Sequence, residues 1–172
     1  IKKVKRMMDV GTGAGFPGVP LKIAFPHLEA CLLDSLKKRV NFLEETFDLL
    51  KLTDITAVHG RAEEYAKNKA YRESFDLCVS RAVSNLATLS EYCLPYVKVG
   101  GSFISYKSGT VQEEAEQAEK AVKILGGKIR DVVYFSLPDS EIQRSLVVIE
   151  KVKSTPGKYP RKAGTPLKEP LV

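Results

Sequence analysis

From Arg6 onward, short apolar runs alternate with segments of helical periodicity, and that alternation leaves few folds open. Strand patterns occupy Arg6–Val10, Glu29–Asp34, Ile55–His59, Phe75–Ser80, Ser102–Tyr106, Ile129–Ser136 and Arg144–Val152. Helical patterns fall between them at Pro20–Phe25, Leu36–Leu50, Ala62–Lys69, Leu86–Val97 and Val111–Leu125. In Leu36–Leu50, Val40, Leu43, Phe47 and Leu50 share one face and the charged residues take the rest. A parallel strand pair needs a crossover, so strands alternating with helices predict a doubly wound α/β sheet. Only Leu137–Gln143, with Pro138, joins the last two strands. It is too short for a crossover helix, so a terminal antiparallel hairpin is expected at the edge of a mostly parallel, seven-stranded sheet.

A chain of 172 residues is one domain by size and buries roughly two thirds of its unfolded surface. No apolar run is long enough to span a membrane. No signal-peptide pattern is present and the chain opens on Ile1, so a cytoplasmic fragment lacking its natural N-terminus is expected. Cys31, Cys78 and Cys93 sit among apolar neighbours without metal-ligand spacing, which predicts buried free thiols. His27 and His59 are far apart, and no metal site is expected. The net charge of +6 is concentrated: Lys151, Lys153, Lys158, Arg161, Lys162 and Lys168 stand against the single acid Glu169, leaving the first 150 residues nearly neutral. The division expected is a domain over residues 1–154 and a basic, irregular Pro/Gly tail over 155–172. That tail has little from which to build a core and suits a polyanionic partner.

The glycine-rich run Asp9-Val10-Gly11-Thr12-Gly13-Ala14-Gly15-Phe16-Pro17-Gly18 follows the first strand. Gly13 to Gly18 fits the dinucleotide pattern G-x-G-x-x-G, and Asp9 to Gly15 fits the D-x-G-x-G-x-G loop of S-adenosylmethionine enzymes. The strand leads into Asp9, which places a carboxylate at its carboxyl end, where ligands of open α/β sheets bind. A carboxylate repels a pyrophosphate and suits the ammonium of a methionine moiety, so the methyl donor is favoured. This makes the expected fold a Rossmann-like, class I S-adenosylmethionine-dependent methyltransferase. Asp34, about 20 residues on, is placed to hold ribose hydroxyls. Gly60-Arg61-Ala62-Glu63-Glu64 follows the third strand towards the adenine edge.

Ser80-Arg81-Ala82-Val83 ends the fourth strand, where this enzyme class presents its substrate atom. There is no Asn/Asp-Pro-Pro-aromatic motif for amino methylation, no Pro-Cys pair for carbon methylation and no histidine base. A nitrogen that already exposes a lone pair, such as guanine N7, needs none of these, and orientation supplies much of the acceleration.

These residues resemble the bacterial 16S ribosomal RNA guanine-N7 methyltransferase family, first named glucose-inhibited division protein B. The resemblance runs from the Asp9–Gly18 loop through Leu33-Asp34-Ser35, Lys38-Arg39, Arg61-Ala62-Glu63, Ser80-Arg81-Ala82-Val83 and Lys107-Ser108-Gly109. It continues in Arg144-Ser145-Leu146-Val147-Val148-Ile149 and Tyr159-Pro160-Arg161-Lys162-Ala163-Gly164-Thr165-Pro166. The family implies methyl transfer from S-adenosylmethionine to N7 of guanine 527, in the 530 loop of 16S rRNA, either naked or in the small ribosomal subunit. It implies cofactor contacts from Gly11, Phe16, Ala62, Glu63 and Arg81, with Asp34 at the ribose; the loop reading adds Asp9, Gly13 and Gly15, and a monomer is expected. Arg81 is the expected catalytic position, orienting substrate or cofactor. Lys107, Arg144, Arg161 and Lys162, with Arg81, are expected at RNA. Family members carry a helical segment before the glycine-loop strand that this chain lacks. A small-molecule methyltransferase and a cofactor-binding, ribosome-associated protein without turnover stay open as alternatives, with an NAD-linked oxidoreductase as the outsider.

Overall fold

The computed structural model describes residues 1–81 and 84–171, so Ala82 and Val83 of the fourth-strand motif lie outside the described residues. Strands β1 (Arg6–Val10), β2 (Glu29–Asp34), β3 (Ile55–His59), β4 (Phe75–Arg81), β5 (Val97–Ser108), β6 (Gly127–Ser136) and β7 (Gln143–Lys151) form one sheet in the order β3-β2-β1-β4-β5-β7-β6. Pairs β1–β2, β2–β3, β1–β4 and β4–β5 are parallel. β7 runs antiparallel between β5 and β6, as the short Leu137–Gln143 connection requires.

Strand β1 shows why both faces must be covered. Met7 enters the core with Val19 and Leu43, while Met8 enters the opposite core with Leu89 and Phe103. Successive side chains of a strand point to opposite faces, so a doubly covered strand reads as continuous apolar sequence. Helices α1 (Gly18–Ala24) and α2 (Lys37–Leu49) cover the first face. Helices α3 (Ala62–Tyr65), α4 (Leu86–Cys93) and α5 (Gln112–Ile124) lie on the second. α4 is shorter than its periodicity suggests because Pro95 has no N–H to continue it; the chain tightens into a 3-10 turn at Leu94–Tyr96, and β5 starts at once, five residues earlier than expected. The Asn85 side chain caps α4 by accepting from Thr88 N at 2.9 Å.

The C-terminal segment departs most from expectation. It returns across the second face, and a short helix α6 (Thr165–Lys168) ends it. Tyr159 is part of the core beneath it. The Arg72 guanidinium donates to the Thr155 and Tyr159 carbonyls at 2.8 and 2.9 Å, and Thr88 Oγ1 donates to Pro166 O at 3.0 Å. Lys151, counted above with the basic tail, is wholly buried: its Nζ donates to Leu94 O and Val97 O and pairs with Glu73 at 3.0 Å. Burial lowers its pKa. Lys151 is therefore not part of the charge available to a polyanionic partner: a lysine surrounded by carbonyls and one carboxylate can be buried.

Candidate cofactor crevice and substrate cavity

Strand order reverses on either side of β1, so the carboxyl ends of β1 and β4 diverge and leave a crevice at the topological switch point. The glycine loop crosses it. Gly11 and Thr12 donate their backbone N–H groups to Leu33 O at 2.9 and 3.2 Å, pinning the loop to the end of β2. Gly13 has φ +62°, and a Cβ there would meet nothing within 4 Å, so the loop's outer side is open. Gly15 differs: a Cβ would come within 2.6 Å of Val19 Cγ2 and 2.9 Å of Leu43 Cδ2. Gly13 thus leaves ligand space, whereas Gly15 lets the loop pack on α1 and α2.

A cavity of about 170 Å³ lies beside the loop, lined among others by Gly11, Asp34, Ala62, Glu63, Tyr92 and Leu167. Asp34 is almost fully buried; Oδ1 accepts from Leu36 N, and Oδ2 from Gly13 N at 2.9 Å and Arg39 Nη1 at 3.3 Å. A carboxylate has about four lone-pair positions, so one acceptor site stays open to a hydroxyl. Glu63 is buried against the C-terminal segment, with Oε1 accepting from Gly164 N at 2.8 Å and lying 3.6 Å from Arg61 Nη2.

Asp9 lies beneath the loop and does not line this cavity. Its Oδ2 accepts from Thr12 Oγ1 at 2.7 Å and Gly18 N at 2.8 Å, whereas its buried Oδ1 has no partner among the described residues. Burial raises its pKa to about 6, against the opposing pull of the Thr12 and Gly18 hydrogen bonds and the Arg81 charge. A buried carboxylate oxygen without a donor fits a cation arriving from the crevice. With the open side at Gly13 and the spare acceptor position on Asp34, the residues fit an aminoacyl nucleoside such as S-adenosylmethionine. Among the described residues, no three His, Cys, Asp or Glu side chains gather as metal ligands, and Cys31, Cys78 and Cys93 are buried free thiols.

Arg81, the last residue of β4, is exposed and lies over the Phe16 ring at 5.8 Å. Among the described residues it makes no ion pair with Asp9 or Glu63. It borders a second cavity, of about 620 Å³, together with Lys107, Arg144, Tyr106, Phe135 and Glu114. The structure thus brings together Arg81, Lys107 and Arg144 of the residues expected at RNA. Arg161 lies elsewhere and is committed: its Nε and Nη2 engage the buried Glu91 carboxylate, the shortest contact at 2.6 Å. A free, phosphate-seeking Arg161 is therefore corrected to an internal ion pair. Lys162 is exposed.

The rRNA small subunit methyltransferase G (GidB) model matches residues 1–147. Over the whole chain, identity is 58% to ribosomal RNA small subunit methyltransferase G of Lachnoclostridium phytofermentans and 52% to that of Clostridium novyi, in each case spanning 71% of the relative. The chain belongs to the rRNA small subunit methyltransferase G family. It is accordingly an enzyme that methylates small-subunit rRNA with S-adenosylmethionine as donor. The fold is shared more widely. TrmN of Thermus thermophilus superposes with a TM-score of 0.63 at 15% identity, covering 86% of this chain and 44% of that one. A geranyl diphosphate C-methyltransferase from Streptomyces coelicolor, solved with S-adenosyl-L-homocysteine, gives 0.64 at 12%, covering 86% and 73%.

Within the methyltransferase G family frame, three crevice residues escaped the sequence: Ser84, just past the fourth-strand motif, Tyr92 and Leu167. Tyr92 shares its helical periodicity with core residues of α4, and nothing local separates a wall position from a core one. Leu167 stands in a segment with no periodicity and reaches the crevice only because Arg161 and Gly164 anchor the chain around it. The nearest signal was the run Tyr159–Pro166, which was assigned to RNA alone. Among the described residues, no helix is long and apolar enough to cross a membrane.

Proposed function

We propose that this chain methylates N7 of a guanine in 16S rRNA, working as a cytoplasmic monomer without a metal. The observation that carries this reading is the end of β4: a guanidinium over the Phe16 ring of the glycine loop borders a larger cavity with basic and aromatic walls. An arginine stays protonated and cannot act as a base, so this position suits an acceptor atom with no proton to lose. Guanine N7 is such an atom.

Gly11, Gly13, Asp34, Ala62 and Glu63 would hold the nucleoside part of the donor, with Asp34 at the ribose and Glu63 near the adenine edge. Asp9 Oδ1 would face the ammonium. Gly15 would support the loop, and Phe16 would fix Arg81. When bound, S-adenosylmethionine supplies an electrophilic methyl group on a sulfonium. Held by these residues, it would give that methyl to guanine N7 and leave as S-adenosylhomocysteine, the electron pair of the carbon–sulfur bond staying on sulfur. Arg81 would orient the base from the side of the glycine loop through its planar fork of donors. Arg144, Lys158, Lys162 and Lys168 would meet phosphates.

The test is transfer of labelled methyl to naked rRNA and to small subunits, followed by nucleoside analysis. The label should appear as 7-methylguanosine, at a rate falling steeply with salt. Label on another atom would overturn the N7 assignment.

A further inference from the structure

The larger cavity has a polar wall that neither the crevice nor Arg81 accounts for. Lys107 Nζ and Glu114 Oε1 lie 2.7 Å apart on it. The ammonium also donates to Ser84 O at 2.8 Å, which leaves one of its three N–H donors unspent. Glu114 Oε1 accepts from Leu86 N at 2.6 Å and from Lys107, whereas among the described residues Oε2 accepts nothing. Both side chains are sheltered, at 12% and 31% exposure. The wall therefore presents a cationic donor beside an anionic acceptor, and both keep capacity for a ligand.

Guanine carries the matching sequence of groups: O6 accepts, and N1–H and the N2 amino group donate. Adenine inverts it, with an N6 donor beside an N1 acceptor, so a carboxylate facing adenine N1 would be left unpaired and repelled. Tyr106 and Phe135 border the same cavity and offer ring faces on which an extruded base can stack. In a purine, N7 lies on the edge away from N1 and N2. A guanine reading Lys107 and Glu114 would thus turn N7 away from that wall, and Arg81 is the cavity residue that contacts the glycine loop through Phe16.

We propose that Lys107 and Glu114 form the guanine-reading pair of this enzyme, with Lys107 donating to O6 and Glu114 Oε2 accepting from N1–H and the N2 amino group. This rests on the N7-guanine reading above. A purely structural role would have Glu114 do no more than cap α4 at Leu86 N.

The discriminating experiment compares single-turnover methylation of rRNA carrying guanine or inosine at the target, on naked RNA or small subunit, whichever reacts faster. Inosine keeps O6, N1–H and N7 and lacks only the N2 amino group. The enzyme should methylate guanine about tenfold faster than inosine, as expected for loss of one hydrogen bond to a charged acceptor. Glu114→Gln keeps an acceptor for Leu86 N and replaces Oε2 with a donor; its guanine and inosine rates should agree within about twofold. Glu114→Ala should flatten the ratio in the same way. A variant that merely misfolds would slow both substrates equally and keep the tenfold ratio, which overturns the proposal. Equal rates with the unaltered enzyme also overturn it. Strand scission at 7-methylpurines separates the two readings: methylation at N7 with an unchanged ratio in the variants removes Glu114 alone, whereas no N7 product removes the N7 assignment and this inference with it.

Discussion

Arg161 grips Glu91 from the C-terminal segment: Nε lies 3.0 Å from Oε1, Nη2 lies 2.6 Å from Oε2, and the Arg161 backbone N–H donates to Oε1 at 2.8 Å. The Glu91 side chain is 1% exposed, so no water can replace these donors. Arg161→Met leaves a buried uncompensated carboxylate, and chemical denaturation should show a loss of about 3 kcal/mol. Adding Glu91→Leu should recover much of that loss; a single variant as stable as the parent would show the pair contributes nothing.

Leu167 lines the cofactor crevice only because this anchor and the Gly164–Glu63 hydrogen bond hold the segment in place. Removing residues after Thr155 should therefore weaken S-adenosylhomocysteine binding as well as RNA binding. A segment that served RNA alone would leave cofactor affinity untouched. Leu167→Ala isolates the effect. It should cost about 1 kcal/mol of affinity, close to fivefold by calorimetry, with little change in stability because the side chain is 59% exposed before binding.

Asp9 makes the fold pH-sensitive in a defined direction. Its carboxyl is raised from 3.8 to about 6 by burial, so the unfolded chain loses this proton before the folded one does. The associated stability is fully present below pH 4 and is lost as pH rises through 6, a change on the order of 3 kcal/mol. Asp9→Asn should remove that slope from the melting profile of the cofactor-free enzyme. If Asp9 Oδ1 receives the ammonium, the unaltered enzyme should bind S-adenosylmethionine more tightly as pH rises from 5 to 7, and the Asn variant should not.

Asp34 ties the glycine loop to β2 and lines the crevice. Asp34→Ala should reduce cofactor affinity by roughly 1–3 kcal/mol, the range for hydrogen bonds to a charged acceptor. Gly13→Val should nearly abolish binding, since φ +62° strains a β-branched residue and its side chain would occupy the open side of the loop. Normal affinity in either variant, measured by calorimetry, would remove that residue from the site.

Arg81→Lys keeps the charge and loses the planar fork over Phe16. With cofactor and RNA saturating, methyl transfer should fall at least about tenfold, roughly 1.4 kcal/mol in the barrier. Unchanged turnover would leave the end of β4 without a catalytic assignment.

The sheet, the crevice and the loop were legible because each is written in local chemistry. Short apolar runs located all seven strands, and β1 to β3 matched to the residue. Asp9, Gly11, Gly13 and Asp34 could be picked out as candidates because strand ends and glycine turns depend on residues near in sequence. Pro95 shortened α4 for an equally local reason that the periodicity alone concealed.

What the sequence by itself determined is therefore the alternation of elements, the parallel topology it forces and the place of the crevice at the switch point. The fate of individual charges was decided only in the tertiary structure. Lys151 is a core residue because two distant chain segments, the turn at Leu94–Val97 and Glu73, surround it with oxygens. Arg161 serves Glu91, 70 residues away, and Glu114 stands beside Lys107 while its Oε1 also accepts from Leu86 N at the start of α4, 28 residues back. Whether a charge is a solvated surface group, a structural pair or a ligand contact depends on partners and burial. Both are properties of distant segments folded together, and no local pattern of residues encodes them.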